Sequence, residues 1–208
     1  EEHSRLGQQQ SSLQDSISNR QTLLDNLDVL LVNNNSKLEA LETERAEMEL
    51  LLEELRLSIA NISLGSDQQD FATMKGLLPW PVAGRLSNNW GSSYGLGDLN
   101  WEGVTVDARE GSEVRAIHHG RVVFSDWFSS SGLLLIIDHG DGYMSLYAQN
   151  QALFKEVGEW VNSGETIATV GNTGGKEEYG LYFEIRHNGE SEDPSAWCST
   201  LTQADARQ

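Results

Sequence analysis

The first seventy residues of this 208-residue chain contain no phenylalanine, tyrosine, tryptophan or proline, and only two glycines, Gly7 and Gly65. A stretch without large rings cannot close an ordinary packed core of its own. All sixteen aromatic residues lie from Phe71 onward, with eighteen of the twenty glycines and all three prolines. Composition therefore divides the chain near residue 70 into a long appendage and one globular domain.

Other shortages exclude whole classes of function. A single cysteine, Cys198, excludes an intramolecular disulfide framework and a multi-cysteine metal site. Bases are few: 14 Lys and Arg stand against 32 Asp and Glu, for a net charge of −18. Both halves share this bias, with 14 acids and 5 bases over 1–70 and 18 acids and 9 bases over 71–208. No Lys/Arg cluster is present to grip a phosphate backbone or an anionic membrane surface. There is no run of eighteen apolar residues and no signal-peptide pattern. The chain opens at Glu1-Glu2 inside a polar helical pattern, as a processed or truncated polypeptide would.

What the appendage does contain is a heptad repeat. With Ile17 at position a, the a/d series runs Ile17, Arg20, Leu24, Leu27, Leu31, Asn34, Leu38, Leu41, Arg45, Met48, Leu52, Leu55, Ile59, Ile62, and Leu6 and Leu13 extend it backwards. Eleven of these fourteen positions from 17 to 62 are apolar, so a coiled-coil helix is expected over 1–64, about 90 Å long as one piece. Leu23, Leu30 and Leu51 widen the stripe, which suggests that a second helix or a domain surface is covered as well. Asn33-Asn34-Asn35-Ser36 is poor helix sequence, and Ser36–Glu39 fits a capping box. The heptad phase nevertheless passes through Asn34 unshifted, which favours a continuous helix over a hairpin. Asn34, Arg20 and Arg45 then read as register-setting polar residues of the seam.

Leu64-Gly65-Ser66-Asp67 ends the helical pattern, and a polar linker is expected over 65–77. Two prolines force Leu78-Pro79-Trp80-Pro81-Val82 to be extended. Short β-rich runs follow between glycines: Val104–Asp107, Glu113–Ile117, Arg121–Asp126, Leu133–Asp138, Met144–Ala148, Thr166–Val170 and Leu181–His187. This spacing predicts a mainly antiparallel β-domain over 78–200 and a tail over 201–208. Leu133–Ile137 is continuously apolar, so that strand should be covered on both faces. Only Glu156–Val161 reads, weakly, as helix. The expected class is α+β, a long helix followed by antiparallel β.

Three motifs carry the chemistry: Trp101-Glu102-Gly103-Val104-Thr105, Leu146-Tyr147-Ala148-Gln149, and Gly180-Leu181-Tyr182-Phe183-Glu184. With His at positions 101, 149, 180 and 182 and Asp at 105, they would read H-x-G-x-D … Y-x-H … H-x-H-F-E. That pattern, with the Leu78–Val82 entry, Ile136-Ile137-Asp138-His139-Gly140 and Leu181–Arg186, resembles the LytM-type (M23) cell-wall endopeptidases over nearly all of residues 78–197. The resemblance implies their duplicated-hybrid-motif fold. In that family two His and one Asp hold zinc, and further His residues act on the substrate carbonyl. Here the ligand positions offer Trp101, Thr105 and Tyr182, and the remaining two hold Gln149 and Gly180. Trp cannot ligate zinc, neutral Thr and Tyr are poor ligands, and neither Gln nor Gly exchanges protons near neutral pH. A protein without metal, cofactor or hydrolytic activity is expected.

The other histidines do not rebuild a site. His118 and His119 are adjacent and face opposite ways, His139 lies in a turn, and His187 ends a strand. Asp107 faces the same side as Thr105, and Glu184 and Asp138 read as strand-surface acids.

A fold that loses its ligands keeps its cleft. Trp101, Thr105, Tyr147, Gln149 and Tyr182 are expected on its floor, with Glu102, Leu134 and Arg186 near the rim. Tyr, Trp and Arg are the residue types most enriched at binding hot spots. The pairing of a coiled coil with a ligand-less LytM domain is similar to the EnvC-like murein hydrolase activators. That resemblance implies a periplasmic protein whose groove binds a helix of a zinc-dependent N-acetylmuramyl-L-alanine amidase. It implies too that the coiled coil docks on the FtsEX membrane complex, and that a helical segment occludes the groove until FtsEX acts. Glu102 stands where that family tends to place a base, and Thr105 where it tends to place an apolar residue. Two alternatives stay open: a zinc endopeptidase with unorthodox ligands, and an inert domain on a coiled-coil scaffold.

Overall fold

The computed structural model describes residues 2–59, 70–95, 97 and 99–199. The seam position Ile62, the Gly65 stop signal and the tail 201–208 lie outside the described residues. Helix α1 spans Glu2–Ile59 without a break, so the Asn33–Ser36 stretch is helical, as the unshifted heptad phase implies. The chain forms two compact units, Glu1–Arg45 and Ala46–Gln208. In the first, Ile17, Leu24, Leu27 and Leu31 are all more than half exposed.

Among the described residues of the second unit, ten strands follow α1. They are β1 (Arg85–Leu86), β2 (Val104–Asp107), β3 (Glu113–Arg115), β4 (Gly120–Phe128), β5 (Gly132–Gly140), β6 (Tyr143–Leu153), β7 (Trp160–Val161), β8 (Thr166–Val170), β9 (Gly180–His187) and β10 (Glu190–Glu192). A four-residue helix, α2 (Pro194–Trp197), is the last element among the described residues. Every strand pairing is antiparallel, in the order β1-β2-β9-β6-β5-β4-β7, with β10 on β9 and β8 joining β3 to β6. The expected β-domain is therefore present.

Side-chain alternation sorts the central strands onto two faces. On one, Leu135, Ile137, Tyr147, Leu181, Phe183 and Ile185 join the main core with Val104 and Val106. On the other, Leu134, Ile136, Met144, Leu146 and Ala148 form a second apolar cluster, and the segment of α1 that belongs to this unit packs there. Met48, Leu51, Leu52 and Leu55, spaced i, i+3, i+4, i+7, make up the helix side of that cluster, and Leu52 is 4% exposed. The continuous apolar run of β5 is thereby explained, because Leu134–Ile137 are buried on both faces.

Two expectations change. Residues 156–161 are not helical. Gly158 has φ of +97°, the Gly158 N–H donates to the Val122 carbonyl, and Trp160–Val161 pairs with β4. Phe71, read as part of a polar linker, is 2% exposed. Its ring stacks on His139 at 4.6 Å and Tyr143 at 5.0 Å and meets Trp197 at 4.9 Å.

Candidate functional site: a groove over replaced ligand positions

Strands β2, β9 and β6 bring the motif residues together. Thr105 is the register partner of Tyr182, and Tyr182 that of Ala148, so the three lie side by side on one face. Gly103 allows β2 to approach so closely: a Cβ there would sit 2.4 Å from the Phe183 carbonyl oxygen. Trp101 reaches the same place from the preceding loop, which is pinned by the Gly91 N–H on the Trp101 carbonyl and the Trp101 N–H on the Ser92 carbonyl. Its ring lies 6.1 Å from Tyr182 and 4.2 Å from Tyr94.

A charged network runs along the same face of β9. The Tyr182 hydroxyl donates to Glu184 Oε1 at 2.6 Å. Arg186 Nη1 donates to Glu184 Oε2 at 2.9 Å and to Glu102 Oε2 at 3.0 Å. Its Nε and Nη2 both donate to the Gly189 carbonyl. Burial opposes the Arg186 charge, but Glu184 and then Glu102 more than offset it and hold the guanidinium protonated. Burial first, then the Glu184 carboxylate, pushes the Tyr182 phenol well above its usual value, so it remains a neutral donor.

Several expected placements are corrected. Arg186 is 4% exposed and is not a rim residue; its pairing with two carboxylates is what lets it be buried. Leu134, with no exposure, belongs to the second apolar cluster and is likewise not a rim residue. Glu184 and Asp138 are buried rather than surface acids, at 4% and 6% exposure. Tyr147 does not line the groove. It pairs with Phe183 and points into the main core, where its hydroxyl accepts from the Ile117 N–H at 3.1 Å. The reason is a bulge: Ala148 and Gln149 together face Leu134, and Gln149 takes φ of +67°. Tyr147 and Gln149 therefore do not follow simple alternation. Glu102 stays on the groove side, bound to Arg186.

His139 and His187 are held by structural contacts. His139, read as a turn residue, ends β5 and is buried. Its Nδ1 lies 2.7 Å from the His119 carbonyl, which can only accept, so Nδ1 carries the proton and Nε2 accepts from Ser145 Oγ at 2.7 Å. Burial lowers its pKa to about 3. His187 stacks on Tyr143 at 4.0 Å, and Asp107 pairs with Arg85 at 3.2 Å.

The donor set does not suit zinc. Trp101 offers no ligand atom, the neutral Thr105 hydroxyl is a poor one, and the Tyr182 oxygen stays protonated against Glu184. No group of three or more His, Cys, Asp or Glu side chains that could hold a metal occurs among the described residues.

Sequence reasoning missed Ile136, Met144, Leu146 and Ala148 as floor, and Met48–Leu55 as the helix packed over it. The unbroken apolar run in β5 was the available signal.

The fold is that of a LytM-type domain, with Trp101, Thr105 and Tyr182 brought together on one face. Residues 99–194 match the sequence model of peptidase family M23, and the chain carries an M23 domain. Over this domain it is similar to the EnvC-like LytM-domain proteins. It is 41% identical over 135 residues to the murein hydrolase activator EnvC of Escherichia coli, covering 65% of this chain and 32% of EnvC. To the murein hydrolase activator NlpD of Salmonella dublin it is 36% identical over 116 residues, 55% of this chain and 29% of NlpD. The chain thus spans about a third of the length of these relatives. A Pseudomonas aeruginosa structure assigned to peptidase M23 superposes with a TM-score of 0.59 at 21% identity, covering 79% of this chain and 63% of that one. At that identity the likeness concerns the fold.

Proposed function

We propose that this chain is a non-catalytic activator of periplasmic cell-wall amidases, acting in bacterial cell division. The β-domain offers its groove to a helix of an N-acetylmuramyl-L-alanine amidase, and α1 regulates access. The relatives named murein hydrolase activators support the role. The observation that carries the reading is the packing of Met48, Leu51, Leu52 and Leu55 over Leu134, Ile136, Leu146 and Ala148, beside Tyr182. A groove that already holds an amphipathic helix has the shape and apolar floor to hold another. The segment 46–59 is then an autoinhibitory cover. The seam of α1 is the docking surface for FtsEX, which draws the cover away.

The test is release of dye-labelled peptidoglycan by an N-acetylmuramyl-L-alanine amidase, with the chain carrying Leu52→Ala to loosen the cover. Stimulation is expected, and adding Tyr182→Ala should remove it while the circular dichroism spectrum is retained. Release by the chain without amidase, or full stimulation with Tyr182→Ala, refutes the reading.

A further inference from the structure

We propose that Phe71 is an acid-released latch: the segment 70–77 stays docked on the β-domain while the imidazoles beneath it are neutral, and detaches when His118 takes up a proton. The latch is the Phe71 ring, which leads a short 3-10 turn, Phe71–Met74, and is 2% exposed. It meets His118 at 5.4 Å with the rings near perpendicular, and stacks on His139 at 4.6 Å. The His118 ring lies 4.2 Å from His119 and 5.8 Å from His139. Three imidazoles therefore crowd together beneath one apolar ring.

The two buried imidazoles differ in one respect. Both nitrogens of His139 are committed, Nδ1 to the His119 carbonyl and Nε2 to Ser145 Oγ. His118 is 5% exposed, yet its Nδ1 has no hydrogen-bond partner among the described residues. A buried nitrogen without a partner has the most to gain from reaching water. Burial first, then the neighbouring His119, disfavours the charged form of His118. The other titratable groups around the socket do not neutralise such a charge. His139 is itself opposed by His118 and His119. From β6 come Tyr143, with His187 of β9 stacked on it, and the buried Tyr147 phenol, and Cys198 follows Trp197 of α2. Lys75 of the segment bonds Glu192 of β10, Asp70 is exposed, and Asp138 accepts from the Gly140 N–H. An aromatic cover cannot replace water around a charged imidazole, so protonation favours its departure. Once released, His118 returns to the ordinary value near 6.5. Docking is thus complete above that pH and weakens about tenfold per pH unit below it, until the docked imidazole itself protonates. The next buried side chain after Phe71 is Leu78, so release gives α1 seven more residues of tether. The latch operates whether or not the groove binds a partner helix.

The experiment is amide hydrogen exchange on the full chain, with each rate divided by its intrinsic value at the same pH. Gly76 and Leu77 report the docked segment, because their N–H groups donate to the Trp197 and Met74 carbonyls. Between about pH 7.5 and 5.0 their protection should fall at least about tenfold. Protection of Ile136 in the central sheet should change less than about threefold, and His118→Phe should reduce the fall at Gly76 and Leu77 to that level too. A second measurement follows the His118 imidazole by NMR: its titration midpoint should lie below about 6.5 in the parent chain and move up toward that value in Phe71→Ala, since the coupling is reciprocal. That reading holds even where His118→Phe does not fold. Unchanged protection at Gly76 and Leu77, an equal fall in His118→Phe, a fall shared by Ile136, or a midpoint that Phe71→Ala does not move overturns the latch.

Discussion

Truncating Leu52 should open the groove by a calculable factor. The cover has one nearly fully buried side chain, Leu52 at 4% exposure, and three partly buried ones, Met48, Leu51 and Leu55. Full burial of a leucine is worth about 1.5–3 kcal/mol, so the gross apolar term for the four is about 5 kcal/mol. Leu52→Ala sits at the low end of the core-truncation range, since the helix edge can relax, and should cost about 2 kcal/mol. That raises the open population about 30-fold. A thiol placed beneath the cover reads this directly. Ala148 is 1% exposed, and Ala148→Cys puts the probe in the second cluster. The native Cys198 is a suitable silent background, because it is 5% exposed and burial pushes its thiol up to about 12. Labelling of the probe should accelerate about 30-fold with Leu52→Ala. It should stay within threefold with Leu50→Ala, since Leu50 is 72% exposed on the same helix. Equal rates in the two variants would refute the docked helix as the barrier.

Other predictions follow from the network and the core. Arg186→Leu leaves Glu184 and Glu102 without their counter-ion and should cost about 3–5 kcal/mol, lowering Tm by at least about 10 °C; a fall under about 2 °C in a thermal melt would show that the buried pairing is not needed. The triple variant W101H/T105D/Y182H should bind about one zinc per chain by metal analysis after dialysis, because positions 105 and 182 are register partners and the rings at 101 and 182 are 6.1 Å apart; no zinc above the wild-type level would refute the equivalence of these positions with the metal site. His139 stays neutral in the fold, with its pKa lowered to about 3, whereas an unfolded chain takes up the proton near 6.5. Stability should therefore fall as pH drops from about 6.5 toward 3, with His139 contributing up to about 1.4 kcal/mol per pH unit. His139→Phe should flatten that part of the urea-unfolding profile, and an unchanged slope would refute the assignment.

The sequence carried the strands and the unbroken helix because each is a local or periodic signal. Glycines mark where strands stop, and motif spacing places Trp101, Thr105 and Tyr182 around one point. Tyr147 escaped because motif spacing does not show which face a residue takes, and the bulge at Ala148-Gln149 breaks the alternation that would have related it to Gln149. Phe71 escaped for a different reason. It is one apolar residue in a polar stretch, and its socket of His139, Tyr143 and Trp197 is assembled from segments some 70 to 125 positions away, which no local pattern reveals. The widened apolar stripe of α1 pointed to some covered surface, but only the packing identifies which turns of the helix meet which strands.

The residues around Glu184 make physical sense as a set. Position 182 faces Glu184 along β9, so a carboxylate lies beside whatever side chain fills it. Buried at 4% exposure, an unpaired Glu184 would be costly. Here the compensation comes from the protein itself: Arg186 supplies the positive charge, and Tyr182 supplies a donor that remains protonated. Each of the two oxygens of Glu184 has its own donor, which leaves that carboxylate fully committed. The Tyr182 ring is consequently held by its own hydroxyl rather than by whatever occupies the groove. On the proposed function it therefore stands in position before a partner helix arrives, and the association would cost less conformational entropy for that reason.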